Sequence, residues 1–321
     1  MDNKIFKILI IYLVLFTRTA FSQSDLTLYD YMNNPITHNP AYVGVTDKYF
    51  LKMSHSSQWL GFEGASHTEI FDFQMKFENQ INALGVSIIN DEFGAVKNLN
   101  FEVNYGFHTK LNQELDLVLG LKAGLNQLGI DYNMLNIFDP TESIYLEDDV
   151  SEPLPIVGAG FYLSNERFWF SASAPNLVSK NIKDANNVNI FRKRTHTYFS
   201  SGYIFYLNQA FDLRTQMLGQ IVKGAPIGYV LDISLEYQQS FMFGIQTNPN
   251  SFMGFNLGID LFGNGRLTYG YNFSFNELNE YTNGNHHISF SYFFEGSRRN
   301  ISNYRGFNNR KMKYRKSYVI R

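Results

Sequence analysis

The densest cluster of groups that could do chemistry lies between residues 129 and 155, where seven acidic residues occur without a basic one. Clustered carboxylates are oxygen ligands of the kind that calcium prefers. The cluster lacks the regular ligand spacing and the glycine of an EF-hand loop, so a solvated acidic loop is the favoured interpretation. The seven residues are Asp131, Asp139, Glu142, Glu147, Asp148, Asp149 and Glu152.

A basic cluster follows between residues 180 and 194. Its members are Lys180, Lys183, Arg192, Lys193 and Arg194. Because opposite charges on facing surfaces attract, we expect the acidic and basic segments to pair with each other or to bind a partner of opposite charge. The same charges also suit contact with outer-membrane lipid and lipopolysaccharide phosphates.

No combination of residues predicts catalysis. The seven histidines are scattered, and no Ser-His-acid set is indicated by spacing. The sequence shows neither a glycine-rich phosphate loop nor a metal-ligand spacing. We therefore expect a protein that is not an enzyme and has no cofactor.

The N-terminus predicts export. Lys4 and Lys7 precede an apolar run from Ile8 to Phe16, and AFSQ offers a small-x-small cleavage site after Ser22. This run is too short for a spanning helix, so residues 1–22 are predicted to be a signal peptide. The chain has no cysteine, so we expect neither disulfides nor a lipoprotein anchor.

Charge is divided between an acidic body and a basic tail. Residues 23–294 carry 15 basic and 27 acidic residues, whereas residues 295–321 carry nine basic and one acidic. Basic residues interleaved with aromatics would suggest RNA binding in the cytosol, but export excludes nucleic acid as a partner. The tail is expected to be a periplasmic arm for an acidic protein, anionic lipid or cell wall, or else an unstructured solubilising extension. Its charged residues include Arg298, Arg299, Arg310, Lys311, Lys313, Arg315 and Lys316.

Apolar and polar residues alternate through the body of the chain. ELDLVLGLKAGLN and IGYVLDISLEY both show this period of two, which gives a strand one apolar and one polar face. An even number of strands is typical of single-chain bacterial barrels. We predict about fourteen, near residues 48–56, 66–77, 82–90, 97–110, 114–128, 156–164, 166–175, 195–207, 210–222, 227–237, 239–248, 252–262, 264–275 and 284–294.

The connections separate a membrane barrel from a soluble sandwich, which alternation alone cannot do. Those after odd-numbered strands, such as SSQWLGFEGA, DEFGAVK and 129–155, are mostly long, and those between them, such as ENQI and NQ, are tight. Short periplasmic turns and longer external loops are typical of outer-membrane barrels. An aromatic content of 17% suits strands that face lipid. We predict an all-β, transmembrane antiparallel β-barrel at residues 48–294.

Residues 23–47 form a periplasmic N-terminal segment in this interpretation. YMNNPITHNPAYVG contains Asn-Pro twice, and proline disfavours regular strand and helix interior. A barrel of this size has a lumen that needs filling or gating. Two placements stay open, a small plug in the lumen and a lead-in along the periplasmic rim. The residues concerned are Tyr31, Asn34, Pro35, Asn39, Pro40 and Tyr42.

The first external loop and the lumen provide two further predictions. Trp59, Phe62 and Glu63 suit binding of a protein partner, with an aromatic anchor at the membrane interface as the alternative. Inward-facing polar residues are predicted to form a paired network in a filled lumen rather than to line a conducting pore. They include Asp116, Lys122, Asp212, Arg214, Gln216, Asp232, Glu236 and Asp260.

Seven stretches in register resemble the PorP/SprF family, from about Tyr29 to Phe294. They are YMNNPITHNPAYVG, SSQWLGFEGASHT, ALGVSIINDEFG, LGLKAGLNQLGIDY, GAGFYLS with FSASAPNLV, VKGAPIGYVLDISLEY and LTYGYNFSFNELNEYTNGNHHISFSY. The resemblance implies an outer-membrane barrel of type IX secretion and gliding motility in Bacteroidota. It also implies two partners, an adhesin-like cargo bound through its C-terminal sorting domain and the periplasmic secretion components. NPAY resembles an element of fatty-acid transporter barrels as well, so FadL-like uptake of a small hydrophobic ligand is the alternative.

Overall fold

The computed structural model describes residues 33–46, 49–131, 150–178, 181–183, 189–192, 194–238, 240–262, 264–275 and 281–294. Most of these residues belong to antiparallel β-strands. Within the same ranges, no helix has the length and apolar character needed to cross a membrane.

In the described part of the chain, two short helices precede sixteen strands. The helices are α1 (Pro35–His38) and a 3-10 turn (Pro40–Tyr42). The strands are β1 (Tyr49–Gln58), β2 (Ser66–Lys76), β3 (Asn82–Phe93), β4 (Val96–Lys110), β5 (Asp116–Ile130), β6 (Val150–Ser164), β7 (Phe168–Ala174), β8 (Asn181–Lys183), β9 (Asn189–Arg192), β10 (His196–Tyr206), β11 (Phe211–Val222), β12 (Gly228–Tyr237), β13 (Phe241–Asn248), β14 (Phe252–Leu261), β15 (Gly265–Ser274) and β16 (Asn285–Phe294).

Fourteen of these strands form a closed barrel, which confirms the predicted architecture. β1 closes it against β16, with Tyr49 opposite Phe294, and β7 pairs with β10 because β8 and β9 form a separate hairpin. Closure leaves no sheet edge unpaired. Fourteen strands about 4.8 Å apart and tilted by about 40° place the backbone roughly 14 Å from the barrel axis.

The two faces of each strand follow the predicted alternation. On β5, Leu119, Leu121 and Leu125 point outward, and Leu121 is 59% exposed. Between them, Lys122 is 2% exposed and Asn126 is buried in the interior. Apolar side chains therefore cover the outside of the barrel and polar ones fill its inside, the reverse of a soluble sandwich.

Four turns at one end of the barrel are built on asparagine. The side-chain oxygens of Asn79, Asn112, Asn165 and Asn208 each accept hydrogen bonds from two backbone N–H groups that follow in the turn. Asparagine favours such turns because its side chain replaces a backbone acceptor. The first strand begins and the last strand ends at this same end, which is the end predicted to be periplasmic.

Two predicted external connections are shorter than expected. DEFGAVK is mostly strand, because β3 and β4 continue to a tight turn at Gly94 and Ala95, with Gly94 at a φ of 53°. Glycine adopts this conformation without steric cost. The connection at 129–155 shortens to 131–149, since β5 and β6 pair as far as Ile130 and Val150. In both strand pairs, cross-strand pairing continues beyond the residues in which apolar and polar side chains alternate.

Candidate functional site

Residues 33–46, the lumen segment, lie inside the barrel. Asn34 Nδ2 donates to Ser54 Oγ on β1 (3.1 Å), and Asn39 Nδ2 donates to the backbone oxygen of Phe161 on β6 (3.1 Å). The Tyr42 hydroxyl is 3.2 Å from Ser200 Oγ on β10. Because β1, β6 and β10 lie at separate positions around the ring, one short segment reaches all three only from the lumen.

The repeated Asn-Pro pairs produce the two turns of the lumen segment. Pro35 and Pro40 occupy the first position of α1 and of the 3-10 turn, where a missing N–H is tolerated. Asn39 caps the 3-10 turn, since its Oδ1 accepts from the backbone N–H of Ala41 at 2.9 Å. Asn34 instead points its side chain at the barrel wall.

Four inward-facing glycines, Gly85, Gly106, Gly120 and Gly160, form the surface on which the lumen segment lies. We call them the glycine wall. A Cβ atom on Gly120 would lie 2.2 Å from the backbone nitrogen of Ala41, and one on Gly160 would lie 2.2 Å from Asn39 Oδ1. Distances this short are impossible between non-bonded atoms. The close approach of the segment therefore depends on the absence of side chains at these positions.

Polar groups from β5 and β7 hold the backbone of α1. Lys122 Nζ donates to the carbonyl oxygen of Thr37 (3.1 Å) and forms a buried ion pair with Glu102 of β4. Ser173 Oγ donates to the carbonyl oxygen of His38 (2.7 Å). Carbonyls at the end of a helix have no partner within it, and these two side chains provide one. Lys122 thus both belongs to the predicted polar network and anchors the lumen segment.

The segment returns toward the periplasmic end through Val43 and Gly44. The Gly44 N–H donates to Gln74 Oε1 (3.1 Å), and His108 Nε2 lies 3.0 Å from the carbonyl oxygen of Val43. Gln74 also donates to the buried carboxylate of Asp72 at 2.6 Å. Side chains of β2 and β4 therefore direct the chain toward the start of β1.

Tyr42 is the main apolar anchor of the segment. It packs against Tyr162, with ring centroids 4.8 Å apart, within a buried cluster that also contains Trp169. Burial raises the pKa of the Tyr42 hydroxyl above its ordinary value, and the hydrogen bond to Ser200 offsets only part of this rise. The hydroxyl is therefore protonated at neutral pH and can donate a hydrogen bond inside the lumen.

The opposite wall of the lumen carries its own charge network. Arg266 of β15 donates through Nη2 to Glu236 and through Nε to Asp260, both at 2.6 Å. Gln216 Nε2 lies 3.3 Å from Asp232 Oδ1. Arg266 and Glu102 were not among the predicted members, because their roles depend on which strands become neighbours.

The predicted residues of the first external loop lie on a braced outer rim, defined here as residues 59–65, 93–95 and 281–284. Leu60 exchanges backbone hydrogen bonds with Asn283 and Gly284, and Gly64 accepts one from Gly94. Trp59 packs edge-on against Phe93, with ring centroids 5.7 Å apart. The rim therefore has a defined shape.

Trp59 and Phe62 differ in exposure. Trp59 is half-buried and has a positive φ of 53°, whereas Phe62 is 53% exposed and Glu63 is also exposed. Tyr281, which the sequence did not single out, is 71% exposed on the same rim. Trp59 thus supports the loop, and Phe62 and Tyr281 are the most exposed aromatic side chains of the rim, ahead of Phe93 at 44%.

The charged loops and the tail are only partly within the described residues. Lys183 and Arg192 lie in β8 and β9, and Arg194 is exposed and donates to the carbonyl oxygen of Lys223 at 3.3 Å. Among the described residues, no group of three or more acidic or histidine side chains could hold a metal ion. The predicted residues outside the described ranges are Tyr31, Asp139, Glu142, Glu147, Asp148, Asp149, Lys180, Lys193, Arg298, Arg299, Arg310, Lys311, Lys313, Arg315 and Lys316.

These features define the class of the protein. A closed antiparallel barrel with apolar side chains outside, charged ones inside and asparagine turns at one end is an outer-membrane β-barrel. The family described as type IX secretion system membrane protein PorP/SprF matches residues 20–292, and the chain belongs to this family.

A solved structure of low sequence identity shares the fold, and others are similar to a lesser degree. The toluene transporter TodX of P. putida has a TM-score of 0.52 and 9% identity, covering 83% of this chain and 95% of that chain. The CymD monoaromatic hydrocarbon channel has a TM-score of 0.49 and 11% identity over 86% of this chain and 95% of that one. A Pseudomonas aeruginosa FadL homologue has a TM-score of 0.46 and 11% identity over 80% and 93%. No curated protein matches the chain in sequence.

Proposed function

We propose that this barrel is an accessory protein of type IX secretion that binds an adhesin-like cargo at the cell surface. The outer rim would grip the cargo's C-terminal sorting domain and so anchor the cargo or help its export. The lumen segment and the basic tail would face the periplasmic secretion and motility components. The mechanism is docking, without a chemical step.

The braced outer rim is the observation that carries this proposal. Loops fixed in their bound shape lose little conformational entropy when a partner binds. Exposed aromatic side chains on such a surface supply most of the binding free energy of protein interfaces. Phe62 and Tyr281 meet both conditions. The lumen segment further supports docking over passage, since it occupies the path that a transported molecule would take.

The rim is tested by pulling the barrel from native membranes in mild detergent. Replacing Phe62 and Tyr281 together with serine should reduce the co-purifying secreted protein about tenfold or more, because each exposed anchor contributes over about 1 kcal/mol. Phe262→Ser is a matched control, since Phe262 is 95% exposed on a periplasmic turn at the other end of the barrel. If the unaltered barrel, the double variant at Phe62 and Tyr281, and Phe262→Ser all recover the same amount of cargo, the rim does not bind the cargo.

Uptake of a small hydrophobic ligand is the alternative. It requires a path through the lumen, which the segment 33–46 occupies. Purified protein in liposomes should admit little solute if docking is correct. Rapid uptake by the unaltered protein, together with recovery of the barrel free of any large secreted partner, would instead favour transport.

A further inference from the structure

A cavity remains between the lumen segment and the far side of the barrel. Its volume is ≈ 120 Å³, and it opens to solvent. Asn34 and Ile36 of the segment form one side, and Met242, Asn256 and Thr268 contribute to the other. A cavity of about 150 Å³ holds a molecule the size of benzene, and a longer chain can extend into the opening.

Asn256 is the polar group that most requires a ligand. Its side chain lines the cavity and is 2% exposed, yet neither its amide nitrogen nor its amide oxygen has a hydrogen-bond partner among the described residues. Buried side-chain amides are nearly always hydrogen-bonded. Its neighbour across the strand pair is Gly270, so no side chain there competes for the amide. The site thus offers one donor and one acceptor.

Apolar side chains form one part of the lining. Ile36 and Pro35 of the lumen segment face Phe50, Met242 and Phe293 of the wall around the same space. Methionine adapts its shape to irregular apolar partners, and aromatic rings bury large areas. A ligand with a hydrocarbon portion and a polar head would satisfy both parts of the site.

The charges around the cavity are matched, which argues against a charged ligand. Arg266 lies between Glu236 and Asp260. Two further cations of the lining also have acidic neighbours: Lys52 interacts electrostatically with Asp72, and Arg214 with Asp232. Entry of a charged head would disturb these pairs and would cost its own desolvation.

We propose that this cavity binds a small uncharged amphipathic molecule whose head both donates and accepts a hydrogen bond, as a primary amide does. The amide would bond to Asn256, and the hydrocarbon chain would lie between the lumen segment and the wall. The site is separate from the outer rim, so the proposal stands whether or not cargo binds there.

Tryptophan fluorescence gives a direct test, because Trp169 lines the cavity and the chain has two tryptophans in all. In a Trp59→Phe background reconstituted in lipid nanodiscs, 8-bromooctanamide should quench Trp169 saturably, since bromine quenches only at short range. Adding Asn256→Leu should weaken binding about tenfold, because the ligand's amide then loses both partners. This replacement should preserve folding, since it removes an amide without hydrogen bonds.

Two controls separate the site from general partitioning into lipid. Asn104→Leu changes another buried asparagine of the inner wall, outside the cavity lining, and should leave binding unchanged. On the unaltered site, 8-bromooctanoate and 1-bromooctane should bind at least about tenfold more weakly than the amide. Quenching that does not saturate, equal affinity for all three compounds, or equal affinity with Asn256 replaced would each overturn the proposal and leave a cavity filled by water.

Discussion

Adding a single methyl group at Gly120 should displace the lumen segment. The new Cβ would lie 2.2 Å from the backbone nitrogen of Ala41 and 2.5 Å from its Cα. Non-bonded carbon atoms approach favourably only to about 3.5 Å, so the segment must move by roughly 1 Å or more. Backbone atoms cannot rotate away as a side chain can.

The free-energy cost of this overpacking is about 1–3 kcal/mol. Applied to an equilibrium between seated and displaced segments, that cost increases the displaced fraction by roughly 5- to 150-fold. The barrel wall has no comparable freedom to relax, since Gly120 pairs with Gly106 on β4 and Gly160 on β6 within a closed sheet.

Thiol labelling measures the displaced fraction because the natural chain contains no cysteine. Thr37→Cys places one thiol on the lumen segment, and its reaction with an impermeant maleimide should accelerate 5- to 150-fold when Gly120→Ala is added. Gly219→Ala is the control, since a Cβ there would meet its nearest heavy atom at 3.9 Å. A folded Gly120→Ala barrel that labels as slowly as the control would refute the close approach.

Three further substitutions test how the segment is held. Lys122→Met should destabilise the barrel by about 3–5 kcal/mol in urea unfolding, because Glu102 then stays buried without its partner. Adding Glu102→Leu should restore much of the lost stability. A double variant that is no more stable than Lys122→Met alone would contradict this. Tyr42→Phe should lower the free energy of unfolding by only about 1 kcal/mol in the same assay, the value of one hydrogen bond. Tyr42→Ala should lower it by about 3–5 kcal/mol, because the packing of the ring is also lost. Similar losses of stability from both variants would show that the packing is unimportant. Asn39→Ala should remove the cap of the 3-10 turn and raise the maleimide reactivity of Thr37→Cys, whereas unchanged reactivity would mean that the cap does not order the segment.

The strands were predictable because a barrel wall needs only a local pattern. Alternation in residues 114–128 correctly assigns Leu121 to the outside and Lys122 to the inside, since side-chain direction depends on parity alone. Strand ends were less predictable. The pairing of β3 with β4 continues to Gly94, beyond the point where apolar alternation stops.

The site could be predicted only in part because its contacts are set by the register of distant strands. Asn34 and Tyr42 belong to an unusual sequence motif and were identified from it. Their partners Ser54 and Ser200 look like ordinary inward-facing polar residues until the barrel closes. In the sequence, Gly120 is likewise one small residue among others on a polar face. Its role is evident only from the short distance between a Cβ atom placed on it and the backbone of Ala41.

The two halves of the lumen differ in a way that matters for movement of the segment. Its contacts concentrate on the glycine wall and the adjoining strands, whereas the opposite wall is cross-linked by Arg266 with Glu236 and Asp260. The ion pairs of that network join wall residues to one another, so these pairs should survive when the segment leaves. Two residues separate Thr46 from Tyr49, which limits their Cα distance to about 11 Å. A pull on the segment from the periplasm should therefore leave β1 paired with β16 and the wall of the barrel intact.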